Sequence, residues 1–151
     1  AGAVLIDCSP MLGVLSLSAI FAADRVLVPV SADYLAVKGA VQVDRTLNAL
    51  QRVVGRRIER RYVVTRFDAR RRMSWDILET FRSRFGPDLA QSRISENVSI
   101  AESPFTDRDV FAHAPASRGA ADYAALYEEL AASGFFGPRV EASREPLAAV
   151  A

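Results

Sequence analysis

The sequence predicts an α/β fold: a doubly wound, mostly parallel sheet with helices on both faces. Three observations predict it. Short, strongly apolar runs at residues 3–6, 25–30 and 61–67 have the character of interior strands covered on both sides. The segments between them place apolar residues three or four apart, the spacing of helices that bury one face. Strands alternating with helices of about a dozen residues require right-handed crossovers and therefore a parallel sheet. The chain of 151 residues is long enough for one such core. Residues 1–134 read as the domain and residues 135–151 as a disordered tail, because Pro, Glu, Arg and Ala mix there without periodicity.

In chain order, Ala3 to Ile6 form the first expected strand, ending on Asp7. Val14 to Ala23 follow as a short, very apolar helix expected to pack on the sheet. Arg25 to Val30 are a second strand, with Pro29 expected at its end because proline cannot donate to a ladder. Tyr34 to Val54 are the clearest helix: Ala40, Val43, Leu47, Leu50 and Val54 trace one stripe, and Gly55 offers a left-handed stop. Arg61 to Phe67 form the third strand, before Asp68. Ser74 is the expected N-cap of a helix from Trp75 to Phe85, closed by Gly86-Pro87. A fourth strand is centred on Ser92, Arg93 and Ile94. Asn97 to Glu102 read as one helical turn, Pro104 to Pro115 as a loop, and Ser117 as the cap of a last helix running towards Gly134.

Composition excludes several classes. Half the residues are hydrophobic, a quarter charged, and the net charge is +1, so no whole-molecule field points to nucleic acid. No apolar stretch approaches the ~18 residues of a membrane span, and no secretory signal is visible. One cysteine, Cys8, forms no internal disulfide, fits a reducing cytoplasm, and reads as a small buried hydrophobe. His113 is the sole histidine, which rules out a His-based metal cluster. Asp107 and Asp109 flanking Arg108 read as a solvated turn rather than an acid/base pair. Trp75, Phe81, Phe85, Tyr123 and Tyr127 lie at helical spacing and read as core or interface. The chain starts on a core strand without an initiator Met, so it is read as the C-terminal part of a longer protein.

Two features point to chemistry. A lone carboxylate, Asp7, closes an apolar strand and precedes a Ser-Pro-Met-Leu-Gly turn. Open α/β sheets bind ligands at that end, though a helix-capping Asp gives the same pattern. Eight arginines, Arg56, Arg57, Arg60, Arg61, Arg66, Arg70, Arg71 and Arg72, stand against Glu59 and Asp68, a local excess of six. Because they bracket a strand, only Arg66 to Arg72 share the sheet end with Asp7. This group fits either a polyanion contact or a solvated strand edge.

The order of motifs carries a specific resemblance. It runs through Val4 to Gly13, Ala22 to Val30 with Tyr34, Leu35, Ala36 and Gly39, then Phe67-Asp68-Ala69-Arg70. It continues through Ile94 to Val98 with Ala101 to Pro104, and Ser117-Arg118-Gly119-Ala120 before Tyr123 and Leu126. These residues resemble the ParA/MinD-type partition ATPases with a deviant Walker A loop, over roughly residues 3–132. The resemblance implies that Asp7 is the Walker B-like aspartate, ordering magnesium through water, and that Pro10 and Gly13 lie in a turn responsive to the γ-phosphate. It places Phe67, Asp68, Asn97 and Val98 near the adenine. Arg70 matches an arginine used for nonspecific DNA binding, with Arg71 and Arg72 beside it. The implied protein is cytoplasmic or nucleoid-associated and uses ATP and Mg. It forms a homodimer when ATP-loaded, binds DNA nonspecifically and answers to a ParB-like stimulating partner; a membrane-bound role is not expected, because Pro138 to Ala151 carry no basic amphipathic helix.

This sequence also departs from the family pattern. Ser9-Pro10 stands for the usual Pro-Pro, and Glu96 stands where the family carries a DNA-facing arginine. Thr106-Asp107-Arg108-Asp109 replaces a basic loop. No Gly-rich lysine loop occurs in these residues. The family places that loop upstream and its strand beside the first expected strand, so this chain alone is expected neither to hydrolyse nor to bind ATP. The alternative readings are a non-catalytic ParA-like interaction module, or a P-loop relative acting on a small metabolite.

Overall fold

A computed structural model describes residues 4–9 and 11–137. Its centre is a parallel sheet of order β1-β2-β3, from Arg25–Ser31, Glu59–Phe67 and Leu89–Ser95. Neighbouring side chains on β2 point to opposite faces, and each face has its own cover. Tyr62, Val64 and Phe67 pack under α2 (Tyr34–Val54) and α3 (Arg72–Phe85), through Ala40, Ile77, Leu78, Phe81 and Phe85. Val63, Ala90 and Ile94 pack under a last helix, Arg118–Ala132, through Leu126 and Leu130. Both crossover helices lie on one face and the returning helix on the other, so the doubly wound α/β expectation holds.

The strongest sequence signals match closely. α2 has the predicted bounds, with Asp33 accepting the Ala36 N–H at 2.8 Å and Gly55 turning left-handed at φ 64°. Asn97 caps α4 (Val98–Glu102) by accepting the Ser99 N–H. The segment expected as a loop contains a 3-10 turn, Ser103–Thr106, and α5 (Val110–His113), capped by Asp109. Ser117 caps the last helix, here α6, as predicted.

Five expectations need correction. Residues 4–8 form no strand, and Val4 and Leu5 are each 85% exposed. An extended run is fixed only by ladder partners, and none pairs with it among the described residues. The helix α1 (Val14–Ala22) does not bury itself on the sheet: Val14 and Leu15 are exposed, and Ile20 packs on Leu47 and Ile58. Pro29 sits inside β1, opposite Val63, rather than at its end. It is tolerated because β1 is an edge strand of the described sheet. Ser74 is not a cap, since α3 starts after Arg71 and Ser74 is buried within it. Cys8 is exposed, its thiol directed at the Ile6 carbonyl.

The expected tail starts inside the fold. Phe135 is buried against α6 and β3, and Phe136 stacks on Tyr127. Residues 138–151 lie outside the described residues.

Candidate functional site at the C-terminal end of the sheet

Two shallow clefts meet where β2 and β3 end. One, of about 490 Å3, is lined by Phe67, Asp68, Ala69, Arg70, Ser95, Glu96, Asn97, Val98 and Arg118. The other, of about 290 Å3, shares Phe67, Ala69, Ser95 and Arg118 and extends along β3 past Trp75, Arg93 and Asp122. The sequence-predicted residues Phe67, Asp68, Asn97 and Val98 therefore lie on one concave surface. The strands hold it closed at the back, with the Glu96 N–H bonded to the Phe67 carbonyl at 3.1 Å. Phe67 is buried and meets the Trp75 ring edge-on at 5.0 Å. The Arg93 guanidinium lies 4.9 Å from the Phe67 ring and 5.5 Å from that of Trp75. Trp75, read from its spacing as core or interface, is 45% exposed at this rim, its indole N–H bonded to the Ala69 carbonyl.

Asp68 is the electrostatic hinge of the site. It is buried and accepts Arg70 Nε and Nη2, each at 3.0 Å, together with the Arg70 backbone N–H. Those bonds, from the side chain first and the backbone second, pull its pKa down to about 2 against the opposing effect of burial. In return Asp68 raises the pKa of Arg70. Arg71 reaches the same carboxylate at 3.2 Å.

The arginine group splits as its position around β2 dictates. At the far end of the strand the guanidinium groups serve the fold. Arg56 donates to the Phe21 and Ala23 carbonyls at the end of α1. Arg60 lies between Asp44 and Asp88, and Arg61 donates to the Pro87 carbonyl. Arg70, Arg71 and Arg72 lie at the cleft end, all exposed, with Arg72 Nε 3.9 Å from Asp76.

The remaining candidates are not drawn into the clefts. Asp7 is exposed on the unpaired segment, Gly13 is an exposed N-cap of α1, and Pro10 lies outside the described residues. Neither Asp7 nor Gly13 lines either cleft. A nucleotide with magnesium fits these residues in part. The clefts offer an aromatic wall and polar edges for a base, and Asp7 offers an oxygen to a hydrated metal. Among the described residues no cradle for the phosphates lines either cleft. Its one lysine, Lys38, lies in α2 with its ammonium 5.1 Å from the Tyr34 ring.

One residue of the site escaped sequence reasoning as a physical requirement. A Cβ on Gly119 would stand 2.6 Å from Ile100 Cγ1 and 3.3 Å from Asn97 Cγ. Gly119 thus lets α6 seat against the turn that presents Asn97 and Val98. A Gly two residues after the Ser117 cap, inside the first turn of the helix, was the available signal.

Comparison with known proteins agrees with this architecture. A family model described as "AAA domain" matches residues 2–60. The chain is 32% identical over 132 residues to the sporulation initiation inhibitor protein Soj of Bacillus subtilis, covering 87% of this chain and 52% of that protein. It is 35% identical over 130 residues to the chromosome-partitioning ATPase Soj of Thermus thermophilus, covering 85% and 52%. It is 33% identical over 128 residues to the chromosome partitioning protein ParA of Caulobacter vibrioides, covering 84% and 48%. The chain is thus similar along most of its own length to proteins named Soj and ParA. It spans about half the length of the curated relatives it matches. It carries Phe67-Asp68 and Asn97-Val98 on the rim of one cleft. No helix among the described residues is long and apolar enough to cross a membrane.

Proposed function

We propose that this chain forms part of an ATP-dependent partition protein that segregates chromosomes or plasmids, or positions other cargo. The observation that carries the reading is similarity along 84–87% of the chain to proteins named for chromosome partitioning or Soj. In this reading Asp7 orders magnesium through water, and the turn containing Pro10 and Gly13 responds to the state of the nucleotide. Phe67, Asp68, Asn97 and Val98 border the adenine, and Arg70, Arg71 and Arg72 contact DNA. Bound ATP with magnesium supplies the energy that separates a DNA-binding state from a released one. The protein acts as a homodimer in the loaded state, on the nucleoid in the cytoplasm, and a ParB-like partner stimulates release.

Replacing Asp7 by Ala in the cell should raise the fraction of cells lacking a chromosome or plasmid, counted by DNA staining. An unchanged fraction would retire the partition role of this carboxylate. Calorimetry on the 151-residue chain with ATP and magnesium should show no micromolar binding, because the phosphate cradle is supplied by other residues. A tight one-to-one isotherm would overturn that assignment.

Glu96 and the Asp107-bearing loop favour a second reading, a ParA-like interaction module without catalysis. Acidic residues stand there where the family presents basic ones. A Lys-Gly-Gly-x-Gly-Lys loop encoded upstream in the same reading frame would exclude it.

A further inference from the structure

The arginines at the cleft end of the sheet meet carboxylates of the same chain, and the carboxylates hold them in two different ways. Asp68 is buried and grips Arg70 with two short bonds from within the same turn. That contact shapes the turn after β2. Glu96 is exposed and comes from the end of β3. Its Oε1 lies 3.5 Å from Arg66 Nη2 and its Oε2 lies 3.7 Å from Arg71 Nη2. Such long, solvent-exposed pairs contribute little to folding, so replacing Glu96 should leave the fold intact.

The backbone adds an independent observation. Arg66 has φ 51° inside β2, where the register with β3 shifts between Val64 and Phe67. A bulge re-aims a side chain, and a left-handed non-glycine residue persists only where its surroundings hold it. Here the bulge residue is one of the two that Glu96 engages.

We propose that Glu96 is an internal competitor for DNA phosphates. Its carboxylate competes with the phosphates for Arg66 and Arg71, so that each neutralises less phosphate charge than a free arginine would. This rests on the reading of the arginine face as a DNA contact, and it adds a regulatory element to that face. DNA binding is then weaker, and its salt dependence shallower, than the exposed arginines would give by themselves.

The test is binding of the protein to a short mixed-sequence DNA duplex, followed against salt concentration, with Glu96→Gln and Arg71→Gln singly and together. The clasp predicts that Glu96→Gln binds more tightly and that its log–log salt slope steepens by about 0.9 to 1.8, one increment per released arginine. It also predicts that Arg71→Gln weakens binding several-fold more in the Glu96→Gln background than in the native one. Equal Arg71→Gln effects in both backgrounds, with an unchanged slope, would overturn the clasp while leaving DNA binding in place. Absence of binding by both the native protein and Glu96→Gln would overturn the DNA reading and the clasp with it. Glu96→Ala repeats the test where circular dichroism shows that the Gln variant is perturbed.

Discussion

Single residues at the cleft end convert local geometry into measurable stability. Asp68 has its pKa lowered from 3.8 to about 2 by the Arg70 bonds. A carboxylate depressed in the folded state stabilises it fully above its unfolded value and loses that effect as pH falls through the folded one. Asp68→Asn should therefore be less stable than the native chain above pH 3.8, and the gap should close as pH falls towards about 2. Urea midpoints measured across that range check it, and a gap independent of pH would mean that the Arg70 pair is not held in solution. Gly119 and Gly39 make a second contrast. The added methyl at 119 meets Ile100 at 2.6 Å, whereas at 39 nothing lies within 4 Å. Gly119→Ala should cost about 1–3 kcal/mol through overpacking. Gly39→Ala, inside α2, should stabilise by about 0.4–1 kcal/mol by restricting the unfolded chain. Equal effects of the two changes would refute the packing account of Gly119.

At the scale of elements, α6 does more than cover a face. Its acidic residues accept backbone N–H groups of β3: Glu129 from Gln91 and Ser92 at 2.8 and 2.7 Å, and Asp122 from Ser95 at 2.8 Å. Burial alone would raise the pKa of Glu129, but the bonds from Ser92 and Gln91 outweigh it and the net shift is downward. Occupying those donors satisfies groups that a strand at the edge of a sheet leaves open to other chains. Glu129→Ala should cost about 0.5–1.5 kcal/mol, the net worth of hydrogen bonds whose donors regain water, and should promote aggregation on heating. Thermal scans with light scattering measure both, and a fully silent substitution would refute the role. This stitch was not legible in the sequence, because Glu129 and Gln91 are 38 residues apart. The bounds of α2 were legible, because stripe, cap and stop residue are all local. Ser74 misled for the converse reason: a serine before an apolar run looks like a cap wherever its side chain ends up. Phe67, Asp68, Asn97 and Val98 were grouped through the family resemblance, and they share a cleft because parallel topology brings consecutive strand ends to one side of a sheet. The split of the arginines followed from the same rule, but their pairing with Glu96 depended on a register that no local pattern encodes.

For the whole molecule, the sequence reports which residues need cover but not what covers them. Residues 4–6 carry the pattern of an interior strand, yet Ile6 is 54% exposed. Beside them β1 is an edge of the described sheet, and Leu27 on that strand is also exposed. Val14 and Leu15 add apolar surface from α1. With a net charge of only +1, long-range repulsion does little to keep copies apart. An open edge together with apolar surface favours association of like chains. The 151-residue chain by itself should therefore self-associate in a concentration-dependent way in sedimentation velocity. Added salt should leave that association unchanged or strengthen it, since burial rather than ion pairing drives it. Leu15→Lys combined with Leu27→Lys should shift the distribution towards monomer without altering the circular dichroism of the fold. A chain that stays monomeric at every concentration tested, or one dispersed by salt, would show that these surfaces are not what the molecule presents to its neighbours.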